Sequence, residues 1–181
     1  GTLFSDFSYV RVSPELRAYH PLLGDLVLAG RFRYGHVENL GSRELPGIAR
    51  FFAGGANSVR TVGAQQLGPR DFVLLPSTGT ASGFIAGSPL PRGGTNVWEA
   101  SAEARYSLGV ADLGLVAFFD IGEVASEEGS FRQFGPGLGL RWYSQFVGAV
   151  RLDLAFRLEG RTQTPVRVDT SRLPATLTPG T

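Results

Sequence analysis

Cysteine, methionine and lysine are absent from the 181 residues, and histidine occurs only twice. Without cysteine there are no disulfides, thiolate nucleophiles, cysteine-ligated zinc sites or iron–sulfur clusters. Without lysine there is no Schiff-base chemistry and no phosphate loop ending in Gly-Lys-Ser/Thr, and all 17 basic residues are arginine. Charge is also sparse, at 18% of residues with a net value of +1. That leaves no broad positive field for nucleic acid. No run approaches the roughly 18 apolar residues of a spanning helix, and the start of the chain lacks the basic-then-apolar pattern of a secretory signal. A membrane barrel is untouched by this, because its signal is alternation over about 10 residues.

Glycine is plentiful at 25 residues, and Phe, Tyr and Trp make up 11%, a bias toward strands and turns. Alternation follows. In 97–106, Trp98, Ala100, Ala102, Ala104 and Tyr106 share one parity, while Glu99, Ser101, Glu103 and Arg105 share the other. In 150–158, Val150, Leu152, Leu154, Phe156 and Leu158 stand against Arg151, Asp153, Ala155 and Arg157. The segments 137–143 and 26–34 have the same design, and 9–20 and 113–121 are less tidy versions of it. A period of two with one apolar and one charged face is that of a strand, since a helix would mix the sets.

Six antiparallel strands are expected. Short connections follow the first, third and fifth at 21–25, 109–112 and 144–148. Long ones are expected at 37–96, 125–134 and 160–181. Long loops alternating with short turns suit an outer-membrane barrel whose long loops face outside. A soluble sandwich or lipocalin-like barrel also alternates. Against these stands the connection 37–96, since unstructured loops beyond about 12–15 residues are uncommon in compact domains unless functional.

That connection holds Arg50-Phe51-Phe52-Ala53-Gly54-Gly55-Ala56-Asn57-Ser58-Val59-Arg60, then Leu67-Gly68-Pro69. It resembles the sixth extracellular loop of the BamA/TamA superfamily of outer-membrane assembly barrels. Further segments follow in the family's order: 98–106 with its acidic centre, Phe118-Phe119-Asp120-Ile121-Gly122-Glu123-Val124, Gly137-Leu138-Gly139-Leu140-Arg141-Trp142, and Val150-Arg151-Leu152-Asp153-Leu154. The 119–124 and 151–155 stretches look closer to TamA than to BamA. The resemblance implies residues 1–181 as the C-terminal part of a sixteen-stranded barrel domain, without enzymatic activity or cofactor, in the bacterial outer membrane. Its implied function is assembly, insertion or translocation of other proteins. The implied partners are the lipid bilayer, client outer-membrane or secreted proteins, and missing strands from its own barrel or another chain. A two-partner-secretion transporter and the barrel anchor of a fused patatin-like hydrolase are the alternatives. Two departures stand out. Thr61 and Val62 replace the Gly and aromatic that follow the motif arginine, and Thr is poorly suited to positive φ. The chain also stops at 178–181, where the family's closing strand is expected to begin.

Arg60 lies among Gly54, Gly55, Gly63 and Gly68, so its loop can fold back into the lumen, while Glu103 and Asp120 occupy the inward parity of neighbouring strands. A guanidinium between two carboxylates forms bidentate, charge-assisted bonds. In the resembling family the motif arginine docks at these strand positions. Spacing alone favours a solvated Arg60 with the carboxylates paired to Arg31, Arg33, Arg105 or Arg141; the motif favours docking, supported by Gly54, Gly55, Val59 and Gly68.

Leu26, Leu28, Phe32, Trp98, Ala102, Leu138, Leu140, Trp142, Leu152, Leu154 and Phe156 are expected toward lipid. Glu15, Arg17, Arg31, Arg33, Glu99, Glu103, Arg105, Asp120, Arg141, Arg151, Asp153 and Arg157 are expected toward the lumen. His20 and His36 read as interfacial rings. Ser82 sits outside any Gly-x-Ser-x-Gly elbow. Glu127 and Glu128 read as solvated loop charges. The glycines of 135–139 are followed by no helix pattern and suit close packing against the folded-in loop.

Overall fold

The computed structural model describes residues 7–72, 74–76, 84–86, 90–144, 148–158 and 166–168. Ser82, residues 145–147 of the third short connection and the chain end at 178–181 lie outside them. Among the described residues the fold is all β apart from one 3-10 turn, Gly47–Ala49. The strands are β1 (Tyr9–Val12), β2 (Glu15–Pro21), β3 (Leu26–Asn39), β4 (Arg70–Phe72), β5 (Leu74–Pro76), β6 (Phe84–Ala86), β7 (Leu90–Pro91), β8 (Asn96–Ser107), β9 (Leu113–Ser126), β10 (Gly129–Ser144), β11 (Gly148–Ala155) and β12 (Val166–Val168). No helix among these residues is long and apolar enough to cross a membrane.

The wall is one antiparallel sheet in which β1 and β2 both pair with β3, followed in order by β8, β9, β10 and β11. The expected single strand over 9–20 is therefore two pieces, but they share one register: Val12 lies opposite His36 and Glu15 opposite Arg33. Pro14 causes the interruption, because it has no N–H to give to the ladder. Its carbonyl still accepts from Tyr34 N at 3.1 Å. Counted this way, the wall has the six strands that the alternation predicts.

The expected long connection at 125–134 is corrected to a tight hairpin. Gly129 lies opposite Ser126, so only Glu127 and Glu128 form the loop. Long strands explain the difference: β10 runs for 16 residues, well past the segment where charged and apolar parities separate cleanly. In its outer part the inward parity carries Phe131 and Gln133, which are both buried. Inward character has changed from charged to mixed there, and that masks the alternation.

Orientation follows the pleat. Phe118 is 4% exposed while its neighbour Phe119 is 42% exposed. Leu28, Phe32, Leu138, Leu140, Trp142, Leu152, Leu154 and Phe156 all stand exposed on the outer face. Glu99 and Asp120 are buried on the inner one. Apart from outer-parity charges such as the Glu123–Arg132 pair, the sheet has its apolar residues outside and its ionised ones inside, which is inverted relative to a water-soluble sheet and suits hydrocarbon around the wall.

The buried apolar cluster does not lie between layers of the wall. It joins Leu45, Ala49, Phe51, Ala53, Val59 and Leu67 of the 40–69 segment to Val37, Val97, Val124 and Phe131 of the wall strands. The long connection is thus the packing partner of the wall's inner face. Phe51 is fully buried, and its truncation would cost about 3–5 kcal/mol by the usual large-to-small penalty. Apart from the wall sheet, β4 pairs in parallel with β12 and antiparallel with β7, and β5 pairs with β6.

Candidate functional site: the lumenal seat of the long loop

The loop enters the inner face through a reversal at Gly54 and Gly55, whose φ values of 102° and 97° place both in the region that favours glycine. Gly55 N then donates to Val62 O at 2.9 Å, closing a compact hairpin-like tip. Val59 is buried, and Gly122 on β9 makes room for it: a Cβ on Gly122 would come within 2.6 Å of Val59 Cγ2. Gly68 packs in the same way against Val124 as the loop leaves the wall.

Arg60 projects from this tip into a polar nest. Its Nε and Nη2 donate to the two carboxylate oxygens of Asp120 at 2.7 and 2.8 Å, and its backbone N adds a third bond to Asp120 at 3.1 Å. Nη1 lies 2.7 Å from Glu103 Oε1 and 3.7 Å from Asp153 Oδ2. Ser101 Oγ donates to Asp120 at 2.7 Å and accepts from Arg60 Nη2 at 3.1 Å. The guanidinium carbon stands 3.4 Å from the centroid of the Phe118 ring. With the Arg60 side chain 5% exposed and Asp120 fully buried, the pair sits where screening is weak and planar, forked recognition counts most.

The wall strands create this nest by register. Ser101 lies opposite Asp120, and Glu103 lies opposite Phe118, so β8 and β9 present acid, hydroxyl and ring side by side. Sequence reasoning named Arg60, Glu103 and Asp120, and the fold brings all three together. It missed Ser101, Phe118 and Asp153 as partners, although each lies on the inward parity already assigned. Of the alternative pairings for Glu103 and Asp120, the structure shows Glu103 with Arg105 at 2.7 Å, while Arg141 binds Asp153 at 2.5 Å and Arg33 faces Glu99 at 3.3 Å. Arg60 joins a continuous network of alternating charge.

Thr61 does not require positive φ. Among the described residues only Gln65, Ala111 and Asp112 are non-glycine residues in that region, and the 59–62 turn closes with Val62 N to Val59 O at 3.3 Å. The bulk of Thr61 is taken up by β10 instead, where a Cβ on Gly135 would come within 2.9 Å of Thr61 Cγ2. Gly137 gives similar room to the Phe118 ring. Glycines on the inner face of β10 therefore receive both the loop and its supporting ring.

At the outer rim the loop is tied differently. Arg92 pairs with Glu128 and reaches Glu44 at 3.2 Å, and Arg50 reaches Glu44 at 2.8 Å. Glu128 is thus an ion-pair partner and not the solvated charge expected. Burial disfavours the Arg92 cation, but its bonds to Glu128 and Glu44 outweigh that and raise its pKa above the ordinary arginine value. His36 makes a 2.6 Å contact with Asn96, and His20 is exposed on the outer face. Among the described residues no group of three His, Asp or Glu is arranged to hold a metal.

Comparison with known proteins agrees with this geometry. A relative described as outer membrane protein assembly factor BamA, from Nitratidesulfovibrio vulgaris, is 31% identical over 169 residues; the match covers 89% of this chain and 19% of that protein. The chain thus spans about a fifth of the length of that relative. The crystal structure of BamA from Haemophilus ducreyi lacking POTRA domains 1-3 superposes with a TM-score of 0.69 at 19% identity, covering 87% of this chain and 33% of that one, and shows the shared barrel-wall fold. The family model described as the Omp85 superfamily domain matches residues 1–169. With an apolar outer face, a charged inner face and a loop arginine seated on inner-wall carboxylates, the chain belongs to the Omp85 superfamily and to the bacterial outer membrane.

Proposed function

We propose that this chain is part of the barrel of an outer-membrane protein assembly factor, and that the docking of Arg60 on Asp120 and Glu103 holds its long loop in the working conformation. The observation that carries the reading is the buried, bidentate Arg60–Asp120 pair joining the loop tip to the wall. An ion pair of this kind is expensive to bury and is retained where it specifies one arrangement. The relatives named above support assembly over a secretion pore or a hydrolase anchor. Support for the TamA branch is limited to the 119–124 and 151–155 stretches, and both named relatives are BamA proteins.

In this reading the segment is joined to further strands of a larger barrel. Among the described residues the outer edges of β1, β2 and β11 carry no neighbouring strand, and open edges are not tolerated within hydrocarbon. A weakly closed seam elsewhere in such a barrel offers free backbone donors and acceptors to an incoming client strand. The client class is an unfolded chain with the same alternating pattern.

The test uses the full-length protein in cells depleted of their own copy, with insertion of newly made barrel proteins read from their heat-modifiable migration. Arg60→Ala and Arg60→Lys should both impair insertion while the protein itself remains folded. Insertion at the unaltered rate with Arg60→Ala would overturn the role given to the loop.

A further inference from the structure

We propose that Glu99 is a second positioning residue for the loop, seating residues 56–58 through Ser58 separately from the Arg60 seat. This rests on the reading that the docked loop is the working state. Glu99 lies on β8 and is 1% exposed, which is a costly place for a carboxylate without partners. It has several. Ser58 Oγ donates to Glu99 Oε1, and on the other side accepts from Gly54 N at 2.8 Å. Arg33 Nη1 stands 3.3 Å from Oε2 and Arg31 Nη2 stands 3.8 Å from it. The loop's own reversal at Gly54 and the wall carboxylate are therefore linked through one hydroxyl.

The neighbouring arginines complete the socket. Arg31 of β3 donates to Asn57 O at 2.6 Å, while Arg151 of β11 donates to Ala56 O and reaches Asn57 Oδ1 at 3.3 Å. These two strands have β8, β9 and β10 between them in the sheet. The tip consequently spans the inner face, held at 56–57 from both flanks, at Ser58 by Glu99 and at Arg60 by Asp120. Between the last two lies Val59, fitted over Gly122, whose missing Cβ would also approach Glu99 Cγ within 3.3 Å. Ser58 and Arg60 are two residues apart and their wall partners sit on adjacent strands, so the Glu99 contact and the Asp120 fork together fix the tip's rotation.

Trypsin reads this directly, because Arg60 is its recognition residue and is protected only while seated. The experiment uses full-length protein in outer membranes, with folding of each variant verified by heat-modifiable migration, and follows cleavage after Arg60. Ser58→Ala and Glu99→Ala should each accelerate that cleavage about tenfold, the loss expected for a hydrogen bond to a buried charge. The double variant should be cut more slowly than the product of the two single-variant accelerations predicts, since the Ser58–Glu99 contact is lost in both single variants and can be lost only once. Cleavage of both single variants at the wild-type rate, or effects that multiply in the double variant, would overturn the proposal. Asp120→Ala, run in parallel, tests the Arg60 seat itself: its protection from trypsin would count against that seat, while rapid cleavage with Ser58→Ala unaffected would sink only the Glu99 role.

Discussion

Two arginines of the same loop differ in what surrounds them, and the difference separates a lock from a tether. Arg60 is 5% exposed, with Asp120 fully buried and Glu103 only 13% exposed. Arg92 is 17% exposed, against Glu128 at 27% and Glu44 at 68%. Both are held by carboxylates, Arg60 by Asp120 and Glu103 with Asp153 at 3.7 Å, and Arg92 by Glu128 and Glu44. At the rim water screens the attraction and solvates whatever is left when a partner is lost. In the lumen an abandoned partner keeps its charge in a site that cannot solvate it, so the geometry is enforced from both sides.

The contrast can be broken most severely at Asp120. Asp120→Ala leaves the guanidinium buried beside Phe118 with Glu103 as its close partner, and should destabilise the seated loop by about 3–5 kcal/mol, the usual cost of breaking a buried pair. The thermal midpoint of the folded, heat-modifiable form should fall accordingly, and an unchanged midpoint would mean that the pair is not isolated from solvent. Arg60→Lys retains charge but cannot supply the Nε and Nη2 fork, so a loss of about 2–3 kcal/mol is expected. A lysine variant indistinguishable from wild type would reduce the site to simple charge attraction.

The rim should respond far less. Arg92→Ala is expected to cost about 0–1 kcal/mol, and raising the salt concentration should erase even that, while leaving the Asp120→Ala deficit in place. Comparable salt sensitivity at both sites would dissolve the distinction. The smallest effect is expected at Thr61, whose buried Oγ1 has no hydrogen-bond partner among the described residues. Thr61→Val keeps the shape that fits over Gly135 and removes the unpaired hydroxyl, so the midpoint should stay level or rise slightly. A marked fall would indicate that the hydroxyl is engaged, for example through water.

How much of this was legible varied with the range of the interaction concerned. In 97–106 and 150–158 every charged residue falls on one parity, because an ionised side chain facing lipid near the bilayer midplane costs about 2–4 kcal/mol, and strand period and orientation could be read together. The hairpin at Glu127 and Glu128 was hidden because Phe131 faces inward against the loop's apolar cluster and Gln133 faces inward to Leu158 O and Arg157 Nε, so neither inward position carries the charge that marks the parity elsewhere. The seat was legible in part: Arg60, Glu103 and Asp120 came from the motif and parity. Ser58 and Glu99 carried no signal distinguishing them from any loop serine or inward carboxylate.

Alternation, composition and the loop motif by themselves determined an inverted, all-β wall and the arginine that enters it, since these depend on each residue's position relative to its strand neighbours. Tertiary structure alone decided the rest. Which carboxylate takes the bidentate fork depends on the register that sets Ser101 opposite Asp120 and Glu103 opposite Phe118. Whether Thr61 can follow Arg60 depends on the space over Gly135, 74 positions away in the chain. Both are matters of volume and distance between segments remote in sequence, which local patterning cannot encode because the pleat specifies a face and not the neighbour that will fill it.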